Sequence, residues 1–185
     1  FTSEATEILF TKKNIRLLKQ PNKYVKPASS IEYRMLTNGM LVQERDEQLL
    51  SEIKTITKRE PTQEEKDALE FAWKVCKHVK SNAIILVRGR QTVGIGAGQM
   101  SRIDSLNIAV KKMKTINHGL DESKYPLVLA SDAFFPFPDV VEGSSAEGVT
   151  AIIQPGGSIR DDLSINACNE RNLTMQFTSM RHFKH

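Results

Sequence analysis

The stretch that most restricts the fold is AIILV at 83–87, five apolar residues in a row. Such a run has no face suited to water, so it predicts a strand covered on both sides at the centre of a sheet. Arg88-Gly89-Arg90 follows as a tight turn, and the chain returns through 91–95, which predicts an antiparallel hairpin. A strand buried on both faces needs helices above and below it, and the flanking sequence supplies them.

One helix starts at Pro61-Thr62-Gln63-Glu64-Glu65, where Glu65 stands three residues after Thr62 in capping-box spacing. Leu69, Ala72, Trp73, Cys76 and Val79 recur at helical intervals and predict its buried stripe. Ser101 is expected to cap a second helix with an apolar face of Ile103, Leu106, Ala109, Val110 and Met113. Strands and helices then alternate: strand 127–130, a short helix near 140–147, strand 150–153, helix 161–171 and strand 173–177. This order predicts an α/β fold in three layers, a mixed sheet flanked by helices on both faces.

Residues 1–60 read as a lead-in. Short apolar segments at 8–10, 15–18 and 40–42 are separated by Lys, Pro and Gly, and many are expected to be strands whose partners lie outside this chain. The division expected is a lead-in over 1–60 and one sheet domain over 61–185. The chain opens on Phe1 rather than Met, so upstream sequence is expected to have been removed.

Composition narrows the function classes. No segment approaches the roughly 20 apolar residues of a membrane helix, and no signal peptide is recognisable. Two cysteines, Cys76 and Cys168, are too few for a disulfide framework and read as small buried side chains in a reducing, cytoplasmic setting. Residues 67–126 carry ten Lys/Arg against five Asp/Glu, whereas 127–185 carry four against seven. A basic middle attracts an anionic ligand such as a phosphate or polycarboxylate. Nucleic acid is not expected, because there is no Lys/Arg run and no aromatic stacking platform. Nor is a metal expected: His78, His118, His182, His185 and the cysteines show no HxE, PCxxC or HExxH.

Three loops stand out. GIGAGQMSR at 94–102 places glycines before a helix, with Arg102 able to add a bidentate charge. It reads either as an anion site or as a tight turn. SDAFFPFPD at 131–139 follows a buried strand, where open α/β sheets bind ligands. Its phenylalanines either offer a flat surface to a ring or plug the core, and Asp139 either accepts hydrogen bonds from that ring or caps the next helix. QPGGSI at 154–159 also follows a strand, and turn chemistry explains it as well as ligand binding does. The tail MRHFKH at 180–185 would ordinarily be a frayed basic end.

Taken together, Ser81-Asn82, GIGAGQMSR, SDAFFPFPD, the Gln154-Pro-Gly-Gly-Ser158 turn and the closing MRHFKH resemble the bifunctional AICAR transformylase/IMP cyclohydrolase family of purine biosynthesis. The resemblance runs from about residue 60 to the end, with a weaker likeness upstream in NGMLVQER at 38–45. It implies formyl transfer from 10-formyltetrahydrofolate to AICAR by part of a homodimeric enzyme, on the second of two halves that resemble the cytidine deaminase fold without its zinc. It implies that Asn82, Arg102 and Arg181 bind substrate, with Arg181 on the AICAR phosphate. Ile103, Phe134, Asp139 and Ile159 would border the folate, with Phe134 on the pterin and Asp139 hydrogen-bonded to it. His185 would support catalysis. The family's acid/base Lys-His pair, in a phrase like FKHVSPAG, does not occur here, and Phe183-Lys184-His185 is not its counterpart. Relatives hold a monovalent cation with two serines and an aspartate. Ser81 and Asp132 match two of these, and Ala83 stands in place of the second serine. A non-catalytic folate- or nucleotide-binding and dimerisation module is the alternative reading.

Overall fold

The computed structural model describes residues 1–19, 30–50, 52–116, 119–121 and 123–184. They form two compact units, Phe1–Arg45 and Asp46–His185.

The first unit holds helix α1 (Ser3–Phe10), capped by the Thr2 hydroxyl, which accepts the Ala5 N–H at 3.2 Å. It also holds strands β1 (Ile31–Leu36) and β2 (Gly39–Glu44). Residues 8–10, expected as a strand, are therefore helical, because Thr2 opens a helix that sequence patterning over three residues does not reveal. Residues 40–42 lie in β2, and its partner lies within the chain. The two strands pair antiparallel with Leu36 opposite Gly39 across a two-residue turn.

The second unit is built on six strands: β3 (Lys54–Thr55), β4 (Ile84–Arg88), β5 (Gln91–Gly96), β6 (Leu127–Ser131), β7 (Val149–Gln154) and β8 (Thr174–Phe177). Their order across the sheet is β3-β8-β7-β6-β4-β5. β6, β7 and β8 run parallel to one another, while β4 is antiparallel to both β5 and β6, and β3 is antiparallel to β8. The sheet is therefore mixed, as the element order implied.

The apolar run that opened the argument is now explained. Ile84 and Leu86 belong to one buried cluster, with Leu106 and Ala109 of helix α3 (Arg102–Thr115) and Val140 and Val141 of helix α4 (Asp139–Ala146). Cys168 of helix α5 (Asp161–Glu170) completes that layer. Ile85 and Val87 point the other way, into a cluster with Leu69, Ala72, Trp73 and Cys76 of helix α2 (Gln63–Cys76). Alternate residues of β4 thus feed two cores, one on each face. The capping box is present as read: Glu65 N–H donates to Thr62 Oγ1 and the Thr62 N–H donates to Glu65 Oε2.

The sheet unit begins fifteen residues before the boundary expected at residue 61. β3 adds an edge strand beside β8, and the Trp73 indole donates to the Leu49 carbonyl at 2.8 Å. Arg59 is held by Glu65 at 2.8 Å and donates to the Thr150 carbonyl. These contacts tie residues 46–60 to the sheet, and a two-residue strand leaves no periodic trace in sequence.

The glycines at 94 and 96 do not form an anion loop. Both lie within β5, and a Cβ on either would overlap the backbone carbonyl of Ala109 or Ser105 in α3. They are small so that the helix can sit directly on the strand. Gly98, with φ of 66°, makes the turn that follows.

Among the described residues, no helix is long and apolar enough to cross a membrane.

Candidate ligand site at one sheet edge

Strand directions bring the singled-out loops to a common edge. The carboxyl ends of β6, β7 and β8 lie side by side, with Phe177 opposite Gln154. Because β4 runs antiparallel, its start lies beside the end of β6, with Ile84 opposite Ser131. Ile84 is also opposite Gly96, so the 97–102 loop and the N-terminus of α3 arrive there too. This is the edge at which open α/β sheets bind ligands.

Asn82 stitches the edge together. Its Nδ2 donates to the carbonyls of Gln99 and Met100 at 3.0 and 3.2 Å, and its own carbonyl accepts the Ser105 hydroxyl at 2.8 Å. The peptide bond joining it to Ser81 is cis. Its side-chain donors are therefore spent on shaping the loop in front of Arg102.

Arg102 is the first residue of α3, and its buried Nε has no hydrogen-bond partner. Burial lowers its pKa, the neighbouring charge of Asp132 opposes that shift, and the charge of Arg181 adds to it. Asp132 is fully buried. Its Oδ1 accepts the Ala83 N–H at 3.0 Å, while Oδ2 lies buried without a partner. Arg102 thus keeps a buried guanidinium N–H, and Asp132 a buried carboxylate oxygen, without a partner, and a bound polar group would be expected to satisfy such atoms.

Arg181 reaches this cluster from the tail. Its guanidinium carbon lies 4.5 Å from the centroid of the Phe134 ring and 5.5 Å from that of Phe183. Phe134 is half-buried, Phe135 is fully buried in the core, and Phe137 is exposed, with Arg160 at 5.5 Å from its centroid. Of the two readings of this loop, Phe135 fits the core plug, while the half-buried Phe134 ring lies beneath Arg181. Asp139 is exposed, and its Oδ1 accepts the N–H of Val140 in the first turn of α4.

Ile103 and Ile159 lie in different surroundings. Ile103 packs against the buried cluster beneath α3 and lies near Gly143 of α4, while Ile159 is fully exposed at the tip of its loop. In that loop, Gly157 and Ser158 donate backbone N–H groups to Asp161 Oδ2, and a second Asp161 oxygen is buried without a partner. His185 lies outside the described residues, as does His118. Of the two groups expected on a monovalent cation, the Ser81 hydroxyl already accepts the Lys184 N–H at 3.0 Å, and Asp132 keeps one oxygen uncommitted. Among the described residues, no group of three or more His, Cys, Asp or Glu is placed to hold a metal ion.

The tail is not frayed. Thr178 and Ser179 donate backbone N–H groups to Gln154 and Pro155, Ser81 N–H donates to the Lys184 carbonyl, and His182 is 1% exposed. Sequence reasoning missed His182 altogether. A signal was present in the alternation Arg181-His182-Phe183, which in an extended segment sends the middle residue inward.

The chain matches the family model described as the AICARFT/IMPCHase bienzyme over residues 1–112. It is 53% identical over 174 residues to the bifunctional purine biosynthesis protein PurH of Persephonella marina, covering 94% of this chain and 33% of that protein. It is 51% identical over 187 residues to the protein of the same name from Chlorobium chlorochromatii, covering all of this chain and 34% of the relative. The chain thus spans about a third of the length of the curated relatives it matches.

Proposed function

Since the chain belongs to the AICARFT/IMPCHase bienzyme family, we propose that its sheet edge is part of the transformylase site, where AICAR takes a formyl group from 10-formyltetrahydrofolate. The sheet domain is, in this reading, the second cytidine-deaminase-like half of the transformylase region. The reading rests on Arg102 and Asp132, which keep a buried guanidinium N–H and a buried carboxylate oxygen without partners, and on Arg181, whose charge acts on Arg102 and whose guanidinium lies over the Phe134 ring.

The chemistry asks for positioning before anything else. The AICAR amine is a poor nucleophile, so holding it against the formyl carbon supplies several kcal/mol of barrier reduction. The new bond joins amine nitrogen to formyl carbon, the bond from that carbon to the folate nitrogen breaks, and the proton that the amine gives up ends on that folate nitrogen. Arg181 holds the AICAR phosphate as a planar fork, and Arg102 presents its free Nε–H to the same pocket. Phe134 packs on the pterin ring once Arg181 turns to its phosphate. The proton falls to the family's Lys-His pair, which this sequence does not carry. This chain therefore orients and binds, and it requires the other transformylase half and a partner subunit for turnover.

Arg181→Ala in the intact enzyme tests the assignment. Losing one charge-assisted contact of about 1.5–3 kcal/mol raises the AICAR KM by roughly 10- to 100-fold and leaves the folate KM much less affected. Equal effects on both substrates would remove Arg181 from the phosphate. Mixing the 185-residue chain with both substrates separates an incomplete enzyme from a self-sufficient one, because turnover by the chain alone contradicts the need for the Lys-His half.

A further inference from the structure

His182, 1% exposed, is the most deeply buried of residues 180–184, and nothing in the formyl-transfer scheme uses it. Its ring sits 5.0 Å from that of Trp73, with Nδ1 at 2.5 Å from Asp46 Oδ2 and Nε2 at 3.1 Å from the Leu49 carbonyl. The ring therefore bridges a carboxylate of the segment before β3 and a backbone carbonyl three residues further on. The charged groups around it are few. Asp46 faces it from the segment before β3, and Lys77, at the end of α2, pairs with the other Asp46 oxygen at 3.3 Å. Lys184, on the tail itself, has its ammonium turned to the His78 carbonyl.

His182 stands between the two residues that carry the exposed end of the tail. Arg181 and Phe183 face outward, with Arg181 over both Phe134 and Phe183. The segment is pinned upstream where Thr178 and Ser179 bond Gln154 and Pro155, and downstream where Lys184 bonds Ser81. Between those pins, His182 is the one side chain buried in the protein, so its seat fixes where Arg181 projects.

We infer that His182 is a positioning residue, a clasp between Asp46 and Leu49 that keeps Arg181 over Phe134. A side chain that cannot reach both oxygens gives up one of these contacts, and Arg181 loses its fixed place. That this would weaken phosphate binding rests on the role given to Arg181 above; the clasp itself does not.

The chain carries its own reporter, because Trp73 is the single tryptophan. An imidazole against an indole alters its emission, so loss of the His182 ring should change the Trp73 emission of the 185-residue chain. The δ-methylene protons of Arg181, displaced in the NMR spectrum by the Phe134 ring current, report the other end of the clasp. His182→Gln should change the Trp73 emission and return the Arg181 protons toward ordinary shifts. Should that variant fail to fold, Asp46→Asn at a half-exposed position should keep the fold and reduce the Arg181 displacement. A ring-current displacement that survives in both variants overturns the clasp. A separate titration with AICAR at one fixed pH tests the reading beneath it. Asp46→Asn should weaken binding by roughly tenfold, the worth of one hydrogen bond. Unchanged affinity beside a collapsed ring-current shift would leave the clasp standing and take Arg181 off the phosphate.

Discussion

The guanidinium carbon of Arg181 lies 4.5 Å from the centre of the Phe134 ring, although 47 positions separate the two residues in sequence. One comes from the loop after β6 and the other from the tail after β8, and both reach the same sheet edge because those strands run parallel to β7 between them. A cation over an aromatic face contributes about 0.5–2 kcal/mol, enough to hold the tail loosely and little enough for a ligand to displace it.

Adjacent phenylalanines should therefore behave differently. Phe134→Ala in the intact enzyme should weaken antifolate binding without unfolding the protein. Phe135→Ala, at a fully buried position, should cost about 3–5 kcal/mol of stability. Ligand titration together with thermal unfolding of both variants checks this, and a Phe134 variant with unaltered antifolate affinity would return that ring to a structural role.

Gly96→Ala should destabilise the sheet unit more than an alanine at Gly157, whose added Cβ meets open space although its φ of 93° disfavours alanine. The new methyl at 96 would drive into the Ser105 carbonyl and lift α3 from β5, an overpacking cost of about 1–3 kcal/mol or more. Arg102 and Ser105 ride on that helix, so ligand affinity should fall with stability. Denaturant melts of the two variants compare them directly.

Glu65 predicts an acid limit. Burial raises its pKa, but the hydrogen bonds and charge of Arg59 and the Thr62 N–H outweigh that and leave the value below its usual 4.5. A carboxyl with a depressed folded pKa adds stability that is present above the unfolded value and is lost as pH falls through the folded one. Stability of the wild-type chain should thus drop below about pH 4.5, and Glu65→Gln should show a shallower drop over the same range. Parallel slopes in urea melts at pH 3 to 6 would remove Glu65 from the acid transition.

The thiols should be silent. Burial pushes Cys168 up to about 12, against a small lowering by Arg171, and pushes Cys76 well above its ordinary range with Asp132 adding to the effect. A thiol-specific chromogenic reagent at pH 8 should count close to zero groups in the folded chain and two after denaturation. Rapid labelling of either cysteine without unfolding would contradict its burial.

The parts of the fold that were legible in sequence share a physical cause. AIILV, the Thr62–Glu65 box and the stripes of α2 and α3 each express a local rule, so three to eighteen residues suffice to read them. What escaped the sequence is decided by partners far along the chain. β3 is two residues long and exists because β8 offers an edge, and α1 looked like an isolated apolar triplet. Gly94 and Gly96 read as either an anion site or a tight turn, because sequence cannot show that a helix lies on them. The site was half legible on the same grounds. Motif order pointed to Phe134 and Arg181, whose ring and guanidinium stack, whereas nothing local told Ile103, packed against the core, from Ile159 in the open.

The two-faced burial of β4 has a consequence for alignment. In a strand with one wet side, a shift by a single residue is punished by putting polar groups into the core. Sliding β4 by one place would merely trade Ile84 and Leu86 for Ile85 and Val87, all equally greasy. Its correct partnering must instead be enforced by shape. Gly94 and Gly96 stand opposite Leu86 and Ile84, and only that arrangement gives α3 a floor free of side chains. Two absent methyl groups thus help to keep β4 in step with β5.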